Sequence, residues 1–278
     1  MFIGHCHVFP EGKFDQENPQ RGTVEELAEW LKSLDAEGGV AFAPFTQPEA
    51  YPFVTIDPNK WLYEKLKGGK YDNISAFMLV NPQERERAVL TLKEYVRKGF
   101  VGVKIHPAIF KIRINDPSFE KFYAKAEELR VPIVFHTGID PRWRLSDCLP
   151  LLLDDIARKH PRLPLILAHT GGSAFFHQAL AVIQNNENCY AEITSCVREG
   201  HELYVPEENL VLLIRLIGSR RVMYGADYPY GELDSIKKDI AIINNWDISS
   251  QDKDNILGET LKGLIREVPT NTLRKELR

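Results

Sequence analysis

The sequence predicts a (β/α)8 barrel, and two observations carry that prediction. Short apolar runs alternate with longer amphipathic stretches along all 278 residues, and eight of those runs can be counted. Most are rich in Val, Ile, Phe and Leu with little internal polarity, as strands buried on both faces of a parallel sheet must be. Eight such strand-helix units close a parallel barrel; an open sheet covered on both faces is the alternative. Barrels of this kind commonly reach about 250 residues, so the expectation is one domain over residues 1–278.

The expected strands span residues 2–6, 39–43, 74–80, 101–106, 132–136, 165–169, 188–194 and 221–226. Between them apolar residues return at the helical period. Thr23, with Glu26 three residues on, reads as a capping box; Leu27, Trp30, Leu31 and Leu34 then form a stripe that Gly38-Gly39 stops. Residues 82–98 repeat the form, with Pro82 at the start, Val89, Leu92 and Val96 as the stripe and Gly99 as the stop. Asp116-Pro117 opens another helix before Phe119, Phe122, Tyr123, Ala126 and Leu129. Further helices are expected at 149–159, 174–184, 206–217 and 233–244, and residues 259–278 read as a terminal helix running into a charged tail.

Composition excludes several function classes. Lysine and arginine number 35 against 39 acidic residues, a net charge of −4, which leaves no electrostatic footprint for nucleic acid. No apolar run approaches the roughly 18 residues of a membrane span. Met1-Phe2-Ile3-Gly4 runs straight into polar His5, unlike a secretory leader. Cys6, Cys148, Cys189 and Cys196 form no CxxC pair and read as reduced thiols. The expectation is a cytoplasmic protein acting on a small molecule, with outer helices that could pair it into a homo-oligomer.

The chemistry sits at the strand ends. His5 and His7 close the first strand, and in a regular strand residues i and i+2 point to the same side. Paired neutral imidazoles suit zinc or a similar divalent ion, although two histidines that merely touch water would look the same. Strand four ends in Lys104-Ile105-His106, strand five in His136, strand six in His169, and strand eight runs on to Asp227. Of eight histidines, five stand at expected strand ends. In a barrel those ends meet at one rim, where barrel enzymes build their active sites.

Other rim residues have two readings each. Glu192 in strand seven could hydrogen-bond a ligand histidine from behind, or pair with Lys104. His106 could point into the site or stay on the rim. Arg142 and Arg144 follow strand five, and either could clamp a substrate carboxylate or stay solvated. Arg198 and His201 follow strand seven on the same rim. Tyr228, Pro229 and Tyr230 could wall the pocket or simply pack the last loop. GxGxxG after a strand, GxxxxGK[ST], HExxH and GxSxG are absent.

His5-Cys6-His7, Phe135-His136-Thr137-Gly138, Leu167-Ala168-His169-Thr170-Gly171-Gly172 and Tyr224-Gly225-Ala226-Asp227-Tyr228-Pro229-Tyr230-Gly231, in that order, resemble the amidohydrolase superfamily. They are most similar to its amidohydrolase-related branch, which includes aminocarboxymuconate-semialdehyde decarboxylase-like proteins. The resemblance covers nearly the whole chain, down to Asn255-Ile256-Leu257-Gly258. It implies that His5, His7, His136 and Asp227 are ligands of one divalent ion, with zinc expected. His169 would be a ligand of a second ion or a polarising and proton-transfer group. Asp227 would also take a proton from a metal-activated water, one oxygen binding metal while the other accepts. In some binuclear relatives a carboxylated lysine on strand four bridges two metals, and Lys104 is placed for that role.

The main functional expectation is a metal-dependent hydrolase of a small amide, lactam, lactone or ester. The alternatives are a non-oxidative decarboxylase or hydratase of an aromatic or unsaturated acid, and a barrel that binds metal without turnover.

Overall fold

The computed structural model describes residues 1–270. Its first half runs β1 (Phe2–His7), α1 (Val24–Ser33), β2 (Gly38–Phe42), α2 (Pro58–Leu66), β3 (Ile74–Leu79), α3 (Glu86–Arg97), β4 (Gly102–Ile105), α4 (Pro107–Phe110) and α5 (Glu120–Glu128). The second half runs β5 (Ile133–His136), α6 (Leu152–Lys159), β6 (Leu165–Ala168), α7 (Gly172–Asn185), β7 (Cys189–Glu192), α8 (Glu207–Ile217), β8 (Val222–Met223), β9 (Gly225–Tyr228), α9 (Leu233–Asn245), α10 (Ser250–Asp254) and α11 (Thr260–Arg266). Neighbouring strands are parallel throughout, in the order β8-β7-β6-β5-β4-β3-β2-β1-β9. Only Tyr224 separates β8 from β9, so the two ends of that order meet and the sheet closes into the expected barrel.

The eighth strand was expected as one piece and is two. Tyr224 turns aside to donate its N–H to Ile256 O at 2.9 Å, while its carbonyl accepts from Gly4 N at 3.3 Å. β8 therefore serves β7 and β9 serves β1. The helix expected over 82–98 is also divided. Pro82–Glu84 form a 3-10 turn capped by Asn81, and Arg85 takes a left-handed φ of 52° before α3 begins. Asp116 likewise caps a 3-10 turn, Pro117–Phe119, ahead of α5. The stretch between β2 and β3, where the apolar stripe is weak, holds α2, with Asp57 accepting from Lys60 N and Pro58 at the first helical position.

The Thr23 cap forms only in part. Thr23 Oγ1 accepts from Glu26 N at 3.1 Å, but the Glu26 carboxylate turns to Gly22 N (2.7 Å) and to Tyr228 OH (2.6 Å). The reciprocal box instead appears at Ser249 and Asp252, before α10. Of the terminal segment, α11 is helical, and residues 271–278 lie outside the described residues. All four cysteines are free and buried. No helix among the described residues is long and apolar enough to cross a membrane.

Candidate metal centre and active site

The strand ends converge on a cavity of about 370 Å³, lined at its floor by His5, His7, Lys104, His136, His169 and Asp227. That volume suits a small-molecule ligand. His5 and His7 reach it by a different route from simple alternation. β1 carries an extra residue against β2 between Ile3 and Cys6, and β9 carries one against β1 between Gly225 and Tyr228. The bulges re-aim the side chains. They place His5 (φ 51°) and Asp227 (φ 52°) in the left-handed region, where His169 (φ 60°) and Ser195 (φ 61°) also sit. Such conformations cost on the order of 1–3 kcal/mol each and gather at functional sites.

Donor atoms of His5, His7 and Asp227 lie within 4.8 Å of one another. Asp227 Oδ1 is 3.5 Å from His5 Nε2 and 3.7 Å from His7 Nε2. Ligands about 2.1 Å from a tetrahedral ion stand about 3.4 Å apart, so these spacings match a cation between them. The outer nitrogens of His5 and His169 are already committed, while His7 Nδ1 is buried without a partner. His5 Nδ1 meets Glu192 Oε1 at 2.5 Å, and a carboxylate accepts, so Nδ1 carries the proton and Nε2, with the Lys104 amine beside it, holds the lone pair that can ligate. His169 Nδ1 donates to Thr194 O at 3.0 Å, which leaves its Nε2 free in the same way. His136 Nε2 is buried without any partner, a costly state unless something binds there.

Electrostatics agree with that fit. Burial holds the His5, His7 and His136 imidazoles well below their usual range, and brings His169 down to about 4, so all four are neutral donors. Burial also pushes the Asp227 carboxyl up to about 6, and raises Glu192. A dication would supply the countercharge these acids lack. Lys104 is fully buried, 3.2 Å from His5 Nε2, and burial brings its ammonium down to about 8. A cation beside it would drive it further toward the neutral amine.

Glu192 thus stands behind His5, and Thr194 Oγ1 donates to the same Oε1. Glu192→Gln should weaken divalent-metal affinity by about 10- to 100-fold. Metal titration by calorimetry reads this directly, and unchanged affinity would remove Glu192 from the site.

The rim departs more from expectation. His106 does face the cavity, stacked on His136 with ring centroids 4.0 Å apart, and its Nδ1 accepts from Ile109 N at 3.3 Å. Arg142 lines the cavity, but Asp140 holds its Nε at 3.1 Å and its Nη2 at 2.9 Å. Arg144 is exposed and stands outside the lining. Tyr228 does not wall the pocket: it is fully buried, its hydroxyl donates to Glu26 and Thr23, and its ring packs on Trp30. Tyr230 takes the wall position, with its hydroxyl against that of Tyr51. Tyr51, Asp140, Ser195 and Leu203 were not singled out from sequence. They lie in loops with no strand period, and the usable signal was position alone: Ser195 directly follows the expected seventh strand, and Asp140 lies four residues past the expected fifth.

The amidohydrolase family model matches residues 4–260. A 2-amino-3-carboxymuconate-6-semialdehyde decarboxylase of Dictyostelium discoideum is 26% identical over 212 residues, which are 63% of this chain and 54% of that protein. The chain thus spans about half the length of that curated relative. The crystal structure of a 2,6-dihydroxybenzoate decarboxylase from Rhizobium has a TM-score of 0.70 at 17% identity, covering 95% of this chain and 98% of that one. A dihydroxybenzoic acid decarboxylase from Polaromonas sp. JS666, with bound manganese and the inhibitor 2-nitroresorcinol, has a TM-score of 0.73 at 15% identity, covering 95% and 96%. The structural likenesses are to the fold, and the family match extends over most of the sequence. The chain is an enzyme that belongs to the amidohydrolase family.

Proposed function

We propose that this enzyme removes CO2 from a small carboxylic acid by metal-dependent, non-oxidative decarboxylation. The observation that carries the reading is the convergence of His5, His7 and Asp227 on one point, with the Lys104 amine directly beside it. Three donors gathered on one point, with His136 as a further one, suffice for a single ion. The decarboxylases among the relatives support decarboxylation over hydrolysis. His5, His7 and Asp227 would hold the ion, with His136 as a further donor. Zinc or manganese suits that donor set, and manganese is the ion in the Polaromonas protein.

Bound there, a divalent ion supplies Lewis acidity toward a substrate oxygen. The protein's own groups do the rest. Loss of CO2 leaves an electron pair on carbon, and that carbon must take a proton. Asp227, on the cavity floor, would hand over that proton, and Ser195 Oγ donates to its Oδ2 at 3.4 Å. His169 presents its free Nε2 to the same cavity as a polarising group. Phe45, Ile109, Ile139 and Leu203 supply apolar wall that limits competing water. With Nε and Nη2 held by Asp140, Arg142 keeps Nη1 for a substrate carboxylate.

Zinc- or manganese-loaded protein should release CO2 from a panel of aromatic and dienoic acids, and the chelated protein should release none. Acid production from lactones or amides without CO2 would move the reaction to hydrolysis. Two metals per chain and a carboxylated Lys104 are the companions of that outcome.

A further inference from the structure

Two imidazoles that line the cavity, His106 and His201, are left over by the candidate metal centre, and His201 is the more exposed. His201, in the loop between β7 and α8, lines the cavity and is only half-buried, whereas the floor histidines are almost wholly enclosed. Its Nδ1 accepts the Leu203 N–H at 3.1 Å. A ring nitrogen that accepts a backbone N–H carries no proton, so in the neutral ring the proton sits on Nε2. The backbone therefore leaves His201 with a free donor edge at the cavity, as Ile109 N does for the more enclosed His106, whereas His5 and His169 are set up as acceptors.

The loop is pinned in place. A Cβ at Gly138 would lie 2.8 Å from Leu203 Cδ2, and one at Gly172 would lie 2.6 Å from the same atom. Two glycines from the strand-five and strand-six motifs thus form a socket, and Leu203 fills it. Ser173 Oγ donates to Glu202 O at 2.7 Å, and Tyr204 N donates to His201 O at 3.0 Å. Val205 N donates to Cys196 O at 2.9 Å, which ties the far end of the loop to its start.

We propose that His201 is a substrate-contacting residue whose Nε2–H donates to an oxygen of the bound acid, and that Leu203, seated between Gly138 and Gly172, positions it. The proposal rests on the reading that the cavity takes a carboxylic acid. Its test uses the zinc-loaded full chain with benzoate as the probe. Ring 15N spectra should place the His201 proton on Nε2 in the free protein, and that resonance should move on adding benzoate. His201→Phe should weaken benzoate binding about tenfold, the effect of one lost hydrogen bond to a charged group. His201→Gln, which returns a donor near the Nε2 position, should recover most of it. Leu203→Ala should weaken benzoate severalfold and leave zinc affinity unchanged.

An Nδ1–H tautomer, equal benzoate affinity in His201→Phe and the parent, or no benzoate binding by the parent would each overturn the proposal. The CO2 assay fails or succeeds separately, because benzoate binding requires no turnover.

Discussion

Replacing Asp227 with Asn should abolish turnover, by about 10³-fold or more, while making the metal-free protein more stable. The activity loss combines a removed ligand charge with a removed proton carrier, and general acid–base catalysis alone is worth about 10²- to 10⁴-fold. The fold should survive, because Asn tolerates the left-handed backbone that Asp227 adopts at φ 52°. The stability gain follows from the raised pKa. Between the ordinary value of 3.8 and about 6, the folded protein holds a proton that the unfolded chain has released. The stability tied to that proton is fully present below 3.8 and is lost as pH rises through about 6. At pH 8 the buried carboxylate therefore costs the metal-free fold about 1–3 kcal/mol, which Asn removes. Denaturant titration of chelated protein at pH 8 and again near pH 4 should show the gap open at the higher pH and closed at the lower. A variant that loses both activity and stability would give Asp227 a structural role instead.

Gly225→Ala should damage the candidate metal site from behind. A Cβ at this position would lie 2.6 Å from His5 Cβ and still closer to Thr194 Oγ1. His5 cannot withdraw easily, since Glu192 holds one ring nitrogen and Lys104 sits against the other. Overpacking of this kind costs about 1–3 kcal/mol, and the displaced His5 should weaken zinc binding by at least about tenfold. Thermal melts with and without zinc separate the two effects. A variant with parental zinc affinity would show that the His5 position tolerates movement and that the cluster is looser than its distances imply.

The barrel was legible because its strands are nearly uninterrupted apolar runs and its helices carry clear stripes. The floor of the site was legible for a related reason: His136 and His169 end such runs, so fold and chemistry share one pattern. What periodicity could not supply was how His5 faces inward. Alternation would place His5 and His7 on one side of a regular strand, but bulges against both neighbours do the aiming, and a bulge leaves no mark in a two-residue period. Tyr228 failed for a long-range reason. Its hydroxyl is claimed by Glu26, about two hundred positions earlier, and the same contact draws Glu26 away from the reciprocal cap expected with Thr23. Arg142 was reachable as a rim residue, but its bidentate hold by Asp140 depends on a loop turn that the residue types alone do not specify.

The proposed chemistry centres on one ion held by His5, His7 and Asp227. Elemental analysis and calorimetric zinc titration of the chelated full chain, alongside His7→Ala and Asp227→Asn, test that point directly. One zinc per chain is expected for the parent, with affinity lost or reduced by orders of magnitude in both variants and CO2 release following occupancy. Two zinc ions per chain, or zinc bound equally well without His7 and Asp227, would contradict it.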